Sequence, residues 1–141
     1  MYHSELEIRV RYAETDRMGY VYYGNYSTYF EVVRVEALRS LGVSYKSLED
    51  EGIMLPVLEY RIKYFKPAFY DDLLKIETQI DKMPGARVHF FYKTFRENGE
   101  QVNEVKITLV GTERATSFGF NHRLPLNTFA HKLGLRFTSQ D

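Results

Sequence analysis

The alternation of apolar and polar residues changes period along the chain, and each change marks an element. Over residues 5–12, Leu6, Ile8, Val10 and Tyr12 alternate with Glu7, Arg9 and Arg11. That period of two predicts a half-buried strand. Residues 13–19, Ala-Glu-Thr-Asp-Arg-Met-Gly, are turn-like, because Asp and Gly accept tight backbone conformations. Over residues 24–41 the period becomes helical. Tyr26, Phe30, Val33, Ala37 and Leu41 form one stripe with Tyr29 and Leu38 beside it, and Ser27, Glu31, Arg34 and Arg39 form a narrow polar side. Asn25 is placed to cap the start of this helix and Gly42 its end. The β-branched Val32, Val33 and Val35 lower its intrinsic propensity, so packing has to hold it. Residues 44–51 fit a short second helix closed by Gly52.

Residues 55–112 read as antiparallel sheet. Leu58, Tyr60, Ile62 and Tyr64 alternate with charged residues; Pro67 and Ala68 break the run, and Asp71-Asp72 make a turn. Leu74, Ile76, Thr78 and Ile80 form the next face, followed by a turn at Met83-Pro84-Gly85. Val88, Phe90, Tyr92 and Thr94 alternate with His89, Phe91, Lys93 and Phe95, so both faces carry aromatics. Asn98-Gly99 predicts a hairpin in which both residues take positive φ. Val105, Ile107 and Leu109 lie on the return strand; residues 117–120 fit a short last strand and 126–133 a terminal helix. The fold class is therefore α+β: a curved antiparallel sheet wrapped around one long apolar helix, the economical way to cover both. Short connections favour a meander, with room for one long crossover.

Composition narrows the chemistry. A chain of 141 residues suits a single domain over 1–141. Lys+Arg and Asp+Glu both number 19, so there is no overall basic footprint for a nucleic acid. The absence of cysteine removes disulfides, thiolate nucleophiles and Cys-based zinc sites. No apolar run reaches the roughly 20 residues of a membrane span, and the polar start has no signal pattern. The expected setting is the cytoplasm. The chain has 12 Tyr and 10 Phe but no Trp, and six of the tyrosines fall between residues 12 and 29. Tyrosine has an apolar body and a polar tip, which suits ligand walls and subunit interfaces as well as cores.

The stretch from Arg11 to Tyr26 holds the candidate chemistry. Asp16 sits in a Gly-containing loop just before the buried helix. The first N–H groups of a helix have no internal partners and carry partial positive charge, which makes an oxyanion site. Gly24 allows close approach to the backbone. Asp16 is a nucleophile or a general base on water. From the bare residues alone, a turn-capping Asp16 and a Gly24 that eases helix entry are the favoured reading of the stretch.

The same stretch resembles the signature of the 4-hydroxybenzoyl-CoA thioesterase family of the hot-dog superfamily. It carries Thr15-Asp16, Gly19, Val21-Tyr22-Tyr23 and Asn25-Tyr26, then Phe30-Glu31 and Arg34. Pro67-Ala68, Tyr70 and Asp72 resemble the family segment entering the third strand, and Gly111 and Leu124-Pro125 its ending. The resemblance implies the hot-dog fold, hydrolysis of an acyl-CoA without cofactor or metal, and a homodimer or homotetramer with sites between subunits. It makes Asp16 the catalytic carboxylate and the Tyr23 backbone N–H, beside Gly24, the carbonyl-polarising donor. Gly19, Val21, Tyr22, Asn25 and Tyr26 become substrate-binding residues. A related branch often has His where Tyr23 stands, so Tyr23 is nearer the aromatic-acyl branch at that position.

Other readings compete. Glu31 on the helix is a second candidate acid. His3, His89, His122 and His131 have no metal-ligand spacing, and Ser117 lacks a nucleophile elbow. Lys63, Lys66, Arg87 and Arg123 are cations available to phosphates. Hot-dog dehydratases resemble one another in pairing His with an acid, and no His occurs between Asp16 and Tyr26 or on the helix. A carrier-protein thioesterase and a non-catalytic acyl-binding module share the expected fold.

Overall fold

The computed structural model describes residues 2–80 and 87–113. The expected turn at Met83-Pro84-Gly85, the strand at 117–120 and the helix at 126–133 lie outside the described residues. So do His122, Arg123 and His131.

Strand β1 (Tyr2–Arg9) starts earlier and stops sooner than its alternation predicts. Its ladder with the strand at 73–80 ends at the pair Arg9↔Leu73. Beyond it, Val10 N–H donates to the Asp72 carbonyl (2.9 Å), and a 3-10 turn takes over residues 12–14. Tyr12 therefore stands exposed on that turn, not on a strand face.

Helix α1 (Asn25–Ser40) buries Tyr26, Tyr29, Phe30, Val33, Arg34, Ala37 and Leu38. The spacing of three and four is that of one helix face. Arg34, expected on the polar side, belongs to this buried face. The N-cap is Gly24 and not Asn25, because the Asn25 amide is turned back to the Glu14 carbonyl (2.8 Å). At the other end Gly42 (φ 83) closes the helix. Gly42 N–H donates to the Arg39 carbonyl (2.9 Å) and Val43 N–H to the Leu38 carbonyl (3.0 Å), the paired bonds of a Schellman motif. The Tyr2 hydroxyl donates to the Ala37 carbonyl (3.2 Å) and also meets Ser40 Oγ, which pins this end of the helix to β1. Helix α2 (Tyr45–Asp50) follows, with the Ser44 hydroxyl accepting from Ser47 N–H (3.0 Å).

The remaining strands are β2 (Ile53–Met54), β3 (Val57–Tyr64), β4 (Leu73–Ile80), β5 (Arg87–Phe95), β6 (Gln101–Val110) and β7 (Thr112–Glu113). The main sheet has the order β1-β4-β5-β6-β3, antiparallel throughout, and β2 pairs with β7. Only β4-β5-β6 is a meander. The crossover is at 65–72, which carries the chain from the β3 edge back to β4. Its turn uses Asp71 at φ 69. The Asp72 carboxylate fixes it, accepting from Phe69 N–H (2.8 Å) and Arg96 Nε (2.9 Å).

The β5–β6 hairpin differs in detail from its prediction. Gly99 alone takes positive φ (89°), Gly99 N–H donates to the Arg96 carbonyl (3.0 Å), and the register shifts after Thr94. This is a type I turn closed by a glycine bulge, and the bulge absorbs the extra residue.

The core lies between α1 and the inner sheet face. Leu74, Ile76, Phe90, Tyr92, Ile107 and Leu109 are all buried there. Phe30 is fully enclosed and stacks on Tyr92, with ring centroids 5.0 Å apart. Burying a side chain of that size contributes about 1.5–3 kcal/mol. On the outer face Phe91 and Phe95 are only half-buried, covered by Lys106 and Lys75. The open apolar surface is elsewhere: Val57, Leu58, Tyr60 and Tyr64 of β3 continue into Phe65, Phe69 and Tyr70.

Candidate active site

The loop between β1 and α1 is a tight return. Thr15 bridges Val21, Asp16 N–H donates to the Tyr20 carbonyl (3.0 Å), and Gly19 N–H donates back to the Asp16 carbonyl (3.0 Å). Gly19 sits at φ 84, a left-handed conformation that costs a side-chain-bearing residue energy. The loop is docked on the crossover: Tyr20 bridges Phe69, and Val21 N–H donates to the Ala68 carbonyl (2.8 Å).

Between this loop and the crossover lies a cavity of about 490 Å³. Asp16, Met18, Tyr20 and Val21 line it from the loop, Tyr23 and Tyr26 from the helix start, and Tyr64, Phe65, Lys66 and Pro67 from the end of β3. Asp16 Oδ1 accepts from Met18 N–H (2.8 Å). Among the described residues, Oδ2 accepts from none, so one carboxylate oxygen stays available. At the helix start, Asn25 N–H and Tyr26 N–H reach back to the Tyr22 and Tyr23 carbonyls (2.9 and 3.2 Å). The N–H groups of Tyr23 and Gly24 have no acceptor among the described residues. They are the unpaired donors at the positive end of α1.

Two of the phenols lining the cavity, Tyr26 and Tyr64, are held protonated. Burial pushes the Tyr26 hydroxyl up, with Tyr64 and Asp72 adding to it. Burial likewise raises Tyr64, helped by Tyr23. Tyr60 behind them is pushed up to about 12 by burial. None of these is a base at neutral pH, and Asp16 is the one carboxylate among the residues lining the cavity.

The sequence candidates separate once they are placed. Asp16, Tyr23, Val21 and Tyr26 share the cavity, and Gly19 makes the turn that presents Asp16. The Tyr22 ring does not line the cavity. It packs on Tyr23 (4.8 Å) and covers Gly24, where a Cβ would come within 2.7 Å of it. The Asn25 amide is engaged by the Glu14 carbonyl. Glu31 is exposed on α1 and does not line the cavity. His89 is bonded to Thr108 on the outer sheet face (2.9 Å).

Sequence reasoning assigns none of the crossover wall to the site: it names Lys66 only as a cation, Tyr64 only as a strand-face residue and Pro67 only as a break in the strand and part of a family segment. Tyr64, Phe65 and Pro67 reach the site because β3 and the loop meet in space. A larger hollow of about 630 Å³ lies on the outer sheet face, lined among others by Glu5, Lys63, Lys93 and Glu104. It mixes charges of both signs and lies away from the unpaired helix donors, so the smaller cavity is the candidate site.

The thioesterase-like superfamily model matches residues 10–130, from the end of β1 through the loop, helix and sheet just described. The chain belongs to the thioesterase-like superfamily. Relatives in this superfamily include YneP of Bacillus subtilis, 38% identical over 100 residues, covering 71% of this chain and 72% of that protein. The acyl-CoA thioester hydrolase YbgC of Escherichia coli O6:H1 is 32% identical over 103 residues, covering 73% and 77%. Among solved structures, the DHNA-CoA thioesterase of Staphylococcus aureus superposes with a TM-score of 0.87 at 32% identity, covering 99% of this chain and 91% of that one. The hot-dog thioesterase resemblance read from residues 11–26 is thereby borne out, as is the α+β fold. Among the described residues of this thioesterase-like chain, no helix is long and apolar enough to cross a membrane.

Proposed function

We propose that this thioester hydrolase cleaves acyl-CoA in the Asp16 cavity. The carbonyl oxygen docks on the Tyr23 and Gly24 N–H groups, where negative charge develops in the transition state. Asp16 Oδ2 either takes a proton from the attacking water, so that breaking the C–S bond releases CoA thiol and the free acid, or attacks the carbonyl itself, expelling CoA and forming a mixed anhydride that water then hydrolyses to the free acid. What supports this reading is that Asp16, with one available carboxylate oxygen, and Tyr23, one of the two residues whose N–H groups stand unpaired at the helix start, line the same cavity. Gly19, Val21 and Tyr26 hold the acyl end, and Tyr22 and Asn25 support the helix start. The chain works as a single domain over 1–141, in the cytoplasm. The open apolar edge at β3 is covered by a second copy, which places the site near a subunit seam.

The test is steady-state hydrolysis of a thioester panel, acyl-CoA beside acyl-carrier protein, by wild type and Asp16→Asn. Asn keeps the shape and the turn but is no carboxylate. The expected loss in kcat is about 10²–10⁴-fold, or about 3–5 kcal/mol, with KM and melting temperature nearly unchanged. An Asn variant within about threefold of wild type removes Asp16 from the mechanism. Faster turnover of the carrier-protein ester makes CoA the wrong thiol. Binding without hydrolysis of any ester leaves an acyl-binding module.

A further inference from the structure

The arm bearing Asp16 and the arm bearing the helix-start donors are tied together at one residue, Glu14. Its carbonyl accepts two hydrogen bonds, from Tyr22 N–H (3.0 Å) and from the Asn25 amide (2.8 Å). Its carboxylate accepts from Arg11 N–H (2.8 Å), the Arg11 guanidinium (3.0 Å) and the Tyr29 hydroxyl (2.9 Å). Tyr29 is buried in α1 and packs edge-on against Tyr26, with ring centroids 5.7 Å apart. The exposed Arg11 guanidinium contributes little alone, since solvent screens such pairs. The geometric constraint comes from the main-chain bonds and the buried phenol. Glu14, two residues before Asp16, is thus tied to Tyr22, the residue just before Tyr23, and to Asn25 and Tyr29 of the helix, and it does not line the cavity.

We propose that Glu14, with Asn25 and Tyr29, is the positioning element that sets the separation between the Asp16 carboxylate and the Tyr23 and Gly24 N–H donors. The proposal rests on the catalytic reading of Asp16. A general base has to lie within hydrogen-bond reach of the proton it takes, and a misplacement of about 1 Å can cost about 10²-fold. The 15–21 return is otherwise held by backbone bonds to the crossover, which fix it to the sheet but not to α1.

The experiment compares Glu14→Ala, Glu14→Gln, Tyr29→Phe, Asn25→Ala and Asp16→Asn in the full chain, by acyl-CoA kinetics and thermal melts. Glu14→Ala lowers kcat by about 10–100-fold with KM within about twofold. Tyr29→Phe and Asn25→Ala each lower kcat by about threefold to tenfold and carry the test if Glu14→Ala does not fold. Glu14→Gln recovers most of the rate, because its amide oxygen still accepts from Arg11 N–H or Tyr29. The Glu14→Ala/Tyr29→Phe double variant is no slower than Glu14→Ala, since Glu14→Ala has already removed the bond from Tyr29. Wild-type kcat in folded Glu14→Ala and Tyr29→Phe, beside an inactive Asp16→Asn, overturns the positioning role and leaves Asp16 in place. Losses confined to KM, or additive losses in the double variant, overturn it too. An active Asp16→Asn overturns the catalytic reading itself.

Discussion

Tyr92 in β5 and Tyr64 in β3 face the same side of one sheet, two strands apart. Tyr92 is 1% exposed, stacked under Phe30 with β4 and β6 on either side. Tyr64 is 45% exposed, touching Tyr26 at 5.7 Å, with only β6 beside it. The residue type is the same and the neighbours differ. An interior strand completes its contacts within the chain, whereas an edge strand leaves side chains and backbone groups open to other partners. The cavity lies at that edge. Aromatic residues that would be core two strands away become a ligand wall and an uncovered surface.

Substitutions on the two sides of this comparison should separate stability from assembly and activity. The largest expected change in folding is at the interior. Phe30→Ala removes the ring on which Tyr92 stacks and should destabilise by about 3–5 kcal/mol in urea unfolding. Tyr64→Ala, at the edge, should cost under about 1 kcal/mol on the same assay, because little apolar surface is lost from water. Equal losses from the two would erase the distinction.

Association is the next effect. Tyr60→Glu puts a charge on the open β3 edge and should shift sedimentation profiles from an oligomer to a 16.7 kDa species at micromolar protein. A wild-type chain that sediments as a monomer at that concentration contradicts the covered edge.

The smallest effect is electrostatic and sits where loop meets helix. Burial pushes the Glu14 carboxyl up, but hydrogen bonds from Arg11 and Tyr29 outweigh it and hold the group below the ordinary carboxylate range. The folded pKa is depressed, so its stabilisation is present above the unfolded value of about 4.3 and is lost as pH falls through the lower folded value. Melts should show wild type more stable than Glu14→Gln at neutral pH, by under about 1 kcal/mol, with the gap shrinking as pH falls below the unfolded carboxylate value. A gap that widens in acid has the wrong sign for this account.

Legibility followed the range of the forces. Period and turn chemistry located α1, α2, β3, β4, β5 and β6 to within a few residues, because side-chain alternation and backbone preference are local. The errors fell where a distant group competed. β1 lost Tyr12 because Glu14 captured Arg11 N–H and bent the chain. Asn25 lost the cap because the Glu14 carbonyl took its amide. Arg34, read as polar from its place in the pattern, is buried on the helix face that meets the sheet.

For the site, the sequence by itself determined one wall: an acid, a glycine turn and a helix start within a few residues of one another. It also placed Asp16 and the unpaired Tyr23 and Gly24 N–H groups on adjoining stretches of chain, since all follow from local backbone geometry. Only the tertiary structure decided the second wall. Tyr64, Phe65, Lys66 and Pro67 come from the far edge of the sheet, and no local period places them against the Asp16 loop. Strand order put them there: β3 pairs with β6 and leaves the chain to cross back past the loop to β4. Pairing of that kind depends on contacts between residues distant in sequence, which no local period encodes.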